Sequence, residues 1–249
     1  MTPPADSRRD YGRAGRIGVG TPQANPTVET EFRRLLPADV EFVSTRLVSR
    51  QADARARLVE YLERLDDSLA SFGGMGLDLY CFACTGSSYL LGHAAERERV
   101  SRATQRFGYP VITATQAIEE RLQRLEDHEA IRQVLAGYGY SVDGLNYDSV
   151  ADFYTENGRY MVDDTLDFQG RDRVASITKD AGHRALVAGG VAHVALPPYI
   201  VGEGDEAAAT CHTMIPRKGE DGYYIWRLSA SRLDLVREAD GQWRIAKRQ

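Results

Sequence analysis

Two groups of residues in this chain have the types and spacing to do chemistry. In Cys84-Thr85-Gly86-Ser87-Ser88 a thiol and its neighbouring hydroxyls follow the apolar run GLDLYCFA, which has the character of a strand. A thiol at a strand end, facing the N-terminus of a following helix, gains thiolate character from the local dipole and backbone N–H groups. Those donors also suit a carboxylate. Asn25, closing the segment that starts at Thr21, holds the equivalent place after the first strand. The plainer alternative is that Cys84 is a small buried residue. The second group lies in residues 118–154, IEERLQRLEDHEAIRQVLAGYGYSVDGLNYDSVADFY, a charged amphipathic helix that passes through Tyr138 and Asp143 and forms one wall of an expected active site.

Other candidates are weaker. His212 beside Cys211 faces either a cavity or solvent, Asp163 and Asp164 resemble a turn acid pair, and Trp226 suits a cavity wall or an oligomer surface. His193 and His212 lack a third ligand at metal-binding spacing, and Cys81 with Cys84 lacks a second cysteine pair, so no metal is expected. GVGTPQ does not continue as a phosphate-binding glycine fingerprint. No cofactor is expected.

These groups need elements to position them. From Arg16 strands and helices alternate: RIGVG is a strand, TPQANPTVETEFRRLLP a loop into a helix, and DVEFVSTRLV a second strand. Leu58, Leu62, Leu65 and Leu69 recur at helical spacing in one helix over 52–72, which stops at Gly73 and Gly74. A third strand, the helix AAERERVSRATQRFG and the strand YPVITAT complete the pattern. Such alternation predicts an α/β half-domain with a short parallel sheet, whose ligands bind beyond the carboxyl ends of the strands.

Beyond the 118–154 stretch the character changes. A short helix closed by Asn157-Gly158 and another over 171–181 precede long strand-like segments: VAHVALPPYIVGEG, EAAATCHTMIPRKG, YYIWRLSASRLDLVREAD and GQWRIAKR. Helices followed by a run of strands predict an α+β domain with a curved, mainly antiparallel sheet enclosing a cone-shaped cavity. The expected divisions are a flexible tail over 1–15, the α/β half-domain over 16–118 and the cone domain over 119–249.

Composition limits the function. At 249 residues, with 43% apolar and 27% charged residues, the chain can bury a core in each domain without a metal or disulfide. A net charge of −5 with interspersed signs argues against nucleic acid or a polybasic membrane anchor. Three cysteines, no apolar run long enough to span a bilayer and no secretory signal suit a reducing, cytoplasmic setting.

The quoted motifs also carry two resemblances. GVGTPQANPTVETEFRRLLP, FACTGSSYLLG and YPVITATQAI resemble the first half of the aspartate/glutamate racemase superfamily, in its maleate isomerase and arylmalonate decarboxylase branches. The resemblance implies a carboxylate site built by Asn25 and Cys84, with Thr85, Ser87 and Ser88 as anion-binding loop residues. Family members complete that site with a similar second half, and this sequence leaves the pattern after TATQAI. As a two-base racemase it is expected to be inactive unless another chain completes the site.

RLEDHEAIRQVLAGYGYSVDGLNYDSVADFYTENGRY and SASRLDLVREADGQWRIAKR resemble the opening and closing segments of the SnoaL-like branch of the nuclear transport factor 2-like superfamily. Eliminating members of that superfamily use an Asp at the end of the first long helix and a His on the first strand of the long sheet. Some add a Tyr five residues before the Asp. The resemblance assigns these roles to Asp143, His193 and Tyr138. The chemistry is coherent: neutral imidazole takes a proton, a carboxylate fixes its tautomer, and a phenol donates to a carbonyl or departing hydroxyl. Taken singly, Asp143 before Gly144 also fits a helix-ending turn, His193 a core histidine and Tyr138 an apolar stripe.

The expectation is a cofactor-independent lyase or isomerase for a small apolar, cyclic or carbonyl-bearing molecule. The alternatives are a non-catalytic binding or assembly protein, and Cys84-dependent chemistry on a dicarboxylate with a half-site from another chain. A homodimer or higher homo-oligomer is implied by the resemblance alone.

Overall fold

The computed structural model describes residues 10–163 and 165–249. They form two compact units, one running to Leu122 and the other Gln123–Gln249. Of the expected tail, residues 1–9 lie outside the described residues, while Ala14 N donates to Asp39 O at 3.0 Å and ties the following stretch down. No helix among the described residues is long and apolar enough to cross a membrane.

In the first unit, four parallel strands lie in the order β2-β1-β3-β4. They are β1 (Gly15–Pro22), β2 (Val40–Leu47), β3 (Leu79–Phe82) and β4 (Val111–Thr113). Parallel neighbours require crossovers. These carry α1 (Val28–Leu35), then α2 (Ala54–Glu63) and α3 (Leu65–Ala70), then α4 (Thr85–Leu91) and α5 (His93–Phe107). The single helix expected over 52–72 is thus two, broken at Arg64, where ψ of 27° departs from the helical value. Leu62, Leu65 and Leu69 still pack into one core with Tyr80 and Phe82, because the break leaves their shared face intact. Each such buried leucine stabilises by about 2 kcal/mol. CTGSS, expected as a loop, becomes the start of α4 with Cys84 at its N-cap.

A 30-residue helix, α6 (Ala114–Asp143), begins directly after β4 and runs without a break past Leu122. Ile118, Leu122 and Leu125 are exposed, whereas Ile131, Val134, Leu135, Tyr138 and Val142 are buried in the second core.

The second unit continues with α7 (Tyr147–Asp152), β5 (Tyr154–Val162) and β6 (Leu166–Gln169). Asn157-Gly158 therefore lies inside a strand rather than closing a helix. Asn146 caps α7, its Oδ1 accepting from Ser149 N at 3.1 Å, and Tyr154 is already a fully buried strand residue. The helix expected over 171–181 is α8 (Arg171–Ala175) and a 3-10 turn, and a further helix follows, α9 (Ala181–Ala188), capped by Asp180. The long strand expected over 191–204 is reduced to β7 (Val194–Ala195) and β8 (Tyr199–Glu203), because Pro197 and Pro198 between them have no N–H to donate. Then come β9 (Glu206–Gly219), β10 (Gly222–Arg237) and β11 (Trp243–Arg248).

The sheet is mixed, in the order β6-β5-β11-β10-β9-β7 with β8 also on β9. Its parallel pair is β11 with β5.

Asp127 pins the N-terminal part of this unit. Its Oδ1 accepts from Trp243 Nε1 at 3.1 Å and Gln123 Nε2 at 3.0 Å, and its Oδ2 from Arg237 Nη2 at 2.7 Å. Burial works against its charge, yet these donors win and hold the carboxyl below the usual carboxylate value. A depressed folded-state pKa contributes stability that is present above the unfolded value and is lost as pH falls through the folded one. Asp127→Asn is expected to destabilise the unit by about 1–3 kcal/mol at pH 7. In thermal melts the gap to wild type should narrow as pH falls below about 4; a gap that is constant with pH would refute the ion pair's role.

Candidate functional site

α6 ends on Asp143, and the chain reverses through Leu145, whose φ of 53° is a left-handed value. The carboxylate of Asp143 faces His193, which it grips twice: Oδ2 accepts from His193 N at 2.7 Å, and Oδ1 lies 2.5 Å from His193 Nδ1. That grip explains why His193 stands just before β7 instead of on it, since its backbone donor is spent on the carboxylate. A carboxylate on Nδ1 sets the proton there and leaves Nε2 as the nitrogen free to act. Both side chains are about one-fifth exposed, at 22% and 21%.

One turn before Asp143, Gly139 lets the His193 backbone lie against the helix. A Cβ at this position would overlap the His193 carbonyl oxygen. The His193 segment is thus seated on α6 at two points, its carbonyl against Gly139 and its N–H and ring on Asp143.

His193 lines a cavity of about 750 Å³ together with Tyr138, Tyr160, Cys211, Trp226 and Arg248. Tyr138 is the hub of an aromatic cluster. Its ring meets Tyr154 edge-on at 6.0 Å and Tyr160 at 6.3 Å. Burial pushes the Tyr138 and Tyr154 phenols up, so both stay protonated at neutral pH and can donate. The Arg248 guanidinium sits 4.7 Å from the Tyr138 ring centre and 4.8 Å from that of Tyr160. His183 on α9 also lines the cavity, with Nε2 3.0 Å from Val142 O, beside Asp143.

Residues 123–249 match the family model of the SnoaL-like domain, just over half of the chain. The chain belongs to the SnoaL-like domain family. Among solved structures, the SnoaL-like chain is similar to an NTF2-like protein with a cystatin-like fold from Novosphingobium aromaticivorans. Their identity is 34%, over 53% of this chain and 84% of that one, with a TM-score of 0.51. Two further structures from that organism are a candidate aromatic ring hydroxylase and a candidate scytalone dehydratase. The first shares 23% identity over 50% of this chain and 87% of that one, TM-score 0.40. The second shares 20% over 50% and 83%, TM-score 0.43. No curated protein matches the sequence.

Of the residues singled out in the sequence, the SnoaL-like domain brings Tyr138 and His193 to one cavity and Asp143 onto His193. Trp226 and Asp163 also line it; Cys211 faces it while His212 is exposed. Asp164 lies outside the described residues. Sequence reasoning missed Gly139, His183, Tyr160 and Arg248. Gly139 had a signal: Gly137 and Gly139 sit in a helix interior, where each costs up to about 1 kcal/mol relative to Ala and so asks for a packing reason.

The other candidates lie in the first unit. Asn25 Oδ1 is committed to the start of α1, accepting from Thr27 N at 2.9 Å and Val28 N at 3.2 Å. Cys84 is buried, and its sulfur accepts from Ser87 Oγ at 3.1 Å. Thr85 is exposed, and Ser88 Oγ is buried without a hydrogen-bond partner. Among the described residues no three His, Cys, Asp or Glu side chains are grouped to hold a metal ion.

Proposed function

We propose that the SnoaL-like unit is a cofactor-independent lyase or isomerase that takes a proton beside a carbonyl in a small apolar, cyclic or carbonyl-bearing molecule. The observation that carries this reading is the double attachment of His193 to Asp143 at the wall of a large pocket. His193 Nε2 acts as general base, and Asp143 holds the tautomer and stabilises the imidazolium that forms. Tyr138 donates to the substrate carbonyl, where negative charge grows.

In an elimination the C–H electron pair becomes the new double bond, the C–O bond breaks, and the imidazolium returns its proton to the departing hydroxyl, which leaves as water. In an isomerisation the same imidazolium returns the proton to a different carbon. Every proton is carried by groups of this chain. A cone-shaped enclosure of the substrate by sheet and helices is part of the same reading.

The deciding experiment is turnover of a panel of cyclic β-hydroxy ketones by wild type, Asp143→Asn and His193→Ala. Folded variants with full activity would end the assignment. Tyr138→Phe removes only the phenolic donor from a packed ring, and it is expected to lower kcat about tenfold to a hundredfold with little change in Tm. An unchanged kcat would remove Tyr138 from the mechanism.

For the first unit, the sequence resemblance and the parallel sheet support a racemase-like half-domain. Cys84 chemistry on a dicarboxylate is the reading to test there, by whether alkylation of Cys84 alters any activity of the full chain.

A further inference from the structure

The pocket contains a charge that the proposed proton transfer does not use. Arg248, near the end of β11, lines the cavity, and its Nε is buried with no hydrogen-bond partner. Among the described residues no carboxylate pairs with it; its neighbours are the rings of Tyr138 and Tyr160 and the phenol of Tyr154.

Guanidinium does not lose its proton in proteins, so it cannot escape burial by neutralising. A buried cation is costly unless paired. Aromatic faces recover part of that cost, but they leave the Nε–H without an acceptor. Two aspartates line the same cavity: Asp180, which caps α9 by accepting from His183 N at 2.9 Å, and Asp163, in a turn with φ of 48°; neither pairs with Arg248. Arg173, Lys179 and Arg227 add further positive groups to the lining. The cavity therefore has a surplus of cationic side chains, one of them with a buried Nε–H that has no acceptor.

We propose that the ligand of this pocket is an organic anion, a carboxylate on an apolar ring or short apolar body, with the carboxylate held by Arg248 and the body lying against the aromatic cluster. This names the substrate class of the site whose chemistry is proposed above and rests on that pocket being the binding site. It does not depend on His193 being the base.

Binding by the full chain, read by titration calorimetry, tests it with benzoate against benzamide, which differ in charge and little in shape. Wild type is expected to hold benzoate about tenfold or more tighter, as a charge-assisted pair requires. Arg248→Met should abolish that preference. Arg173→Gln and His193→Ala should keep it. Should Arg248→Met fail to fold, Arg248→Lys, which keeps the charge but loses the planar fork, is expected to weaken benzoate severalfold.

The proposal is overturned by wild type that does not distinguish the two probes, by a preference that survives in Arg248→Met, or by unchanged benzoate affinity in Arg248→Lys. Failure of the catalytic reading looks different: His193→Ala and Asp143→Asn would keep full turnover while the benzoate preference stands.

Discussion

His193→Ala is expected to lower kcat by a factor of about a hundred to ten thousand, the range over which a positioned general base operates. The fold should survive, because the ring is only partly buried and the segment is also anchored through its backbone, His193 N donating to Asp143 Oδ2 at 2.7 Å. Added imidazole should restore part of the rate in this variant, since the pocket would then hold a cavity the size of the missing base. Asp143→Asn is a sharper probe. The amide has one acceptor for two donors, so either the His193 ring or its backbone N–H loses its partner. A loss of similar size is expected from the wrong tautomer, with about 1–3 kcal/mol of stability lost from the unpaired donor. The paired measurement is kcat against the denaturation midpoint. An Asp143→Asn enzyme that loses stability and keeps its rate would make the carboxylate a structural clamp only.

Gly139→Ala is expected to weaken both stability and rate, against what helix propensity alone implies. In an exposed helix interior the change would stabilise by up to about 1 kcal/mol. Here the added methyl meets the His193 carbonyl oxygen, a backbone atom that a rotamer change cannot move. Overpacking of this kind costs about 1–3 kcal/mol. The relief available is movement of the His193 segment away from α6, and a shift on the order of 1 Å at a catalytic group costs about a hundredfold in rate. Gly137→Ala is the control. Its methyl would meet the far edge of the Phe153 ring, a side chain able to give, so the rate should hold. A Gly139→Ala protein that is more stable and fully active would show that the close approach does not position the base.

The features legible in the sequence were those set by local pattern. Alternating strands and helices over 16–118 give the four-stranded parallel sheet, and the stripe from Ile131 to Val142 gives the buried face of α6. Asp143, His193 and Tyr138 were selected by resemblance, and their approach is visible only in three dimensions, since 50 positions separate the two members of the dyad. What escaped notice depended on distant partners. Arg248 has the pattern of an ordinary charged strand residue, and only the convergence of Tyr138, Tyr154 and Tyr160 makes its burial visible. α9 was missed because AGHRALVAGG is small and weakly periodic, and its start depends on the Asp180 cap. Asn25 shows the opposite case. Its type suits a ligand contact, and its amide oxygen is taken up by the helix that follows.

The place of β11 between β5 and β10 bears on how the protein is made. Ile245 pairs with Tyr154, so β5 leaves the ribosome about ninety residues before its neighbour exists. At translation speeds of about 5–20 residues per second, β5 waits some 5–20 s with the edge that β11 will cover still open, whereas β10 is followed by β11 almost at once. During that interval Asp127 lacks Trp243 and the tyrosine cluster lacks its arginine. Open strand edges invite pairing with other chains, so the nascent chain at this stage is the form that a cell's chaperones have most reason to hold, and its yield should depend on them more than the finished protein's stability does.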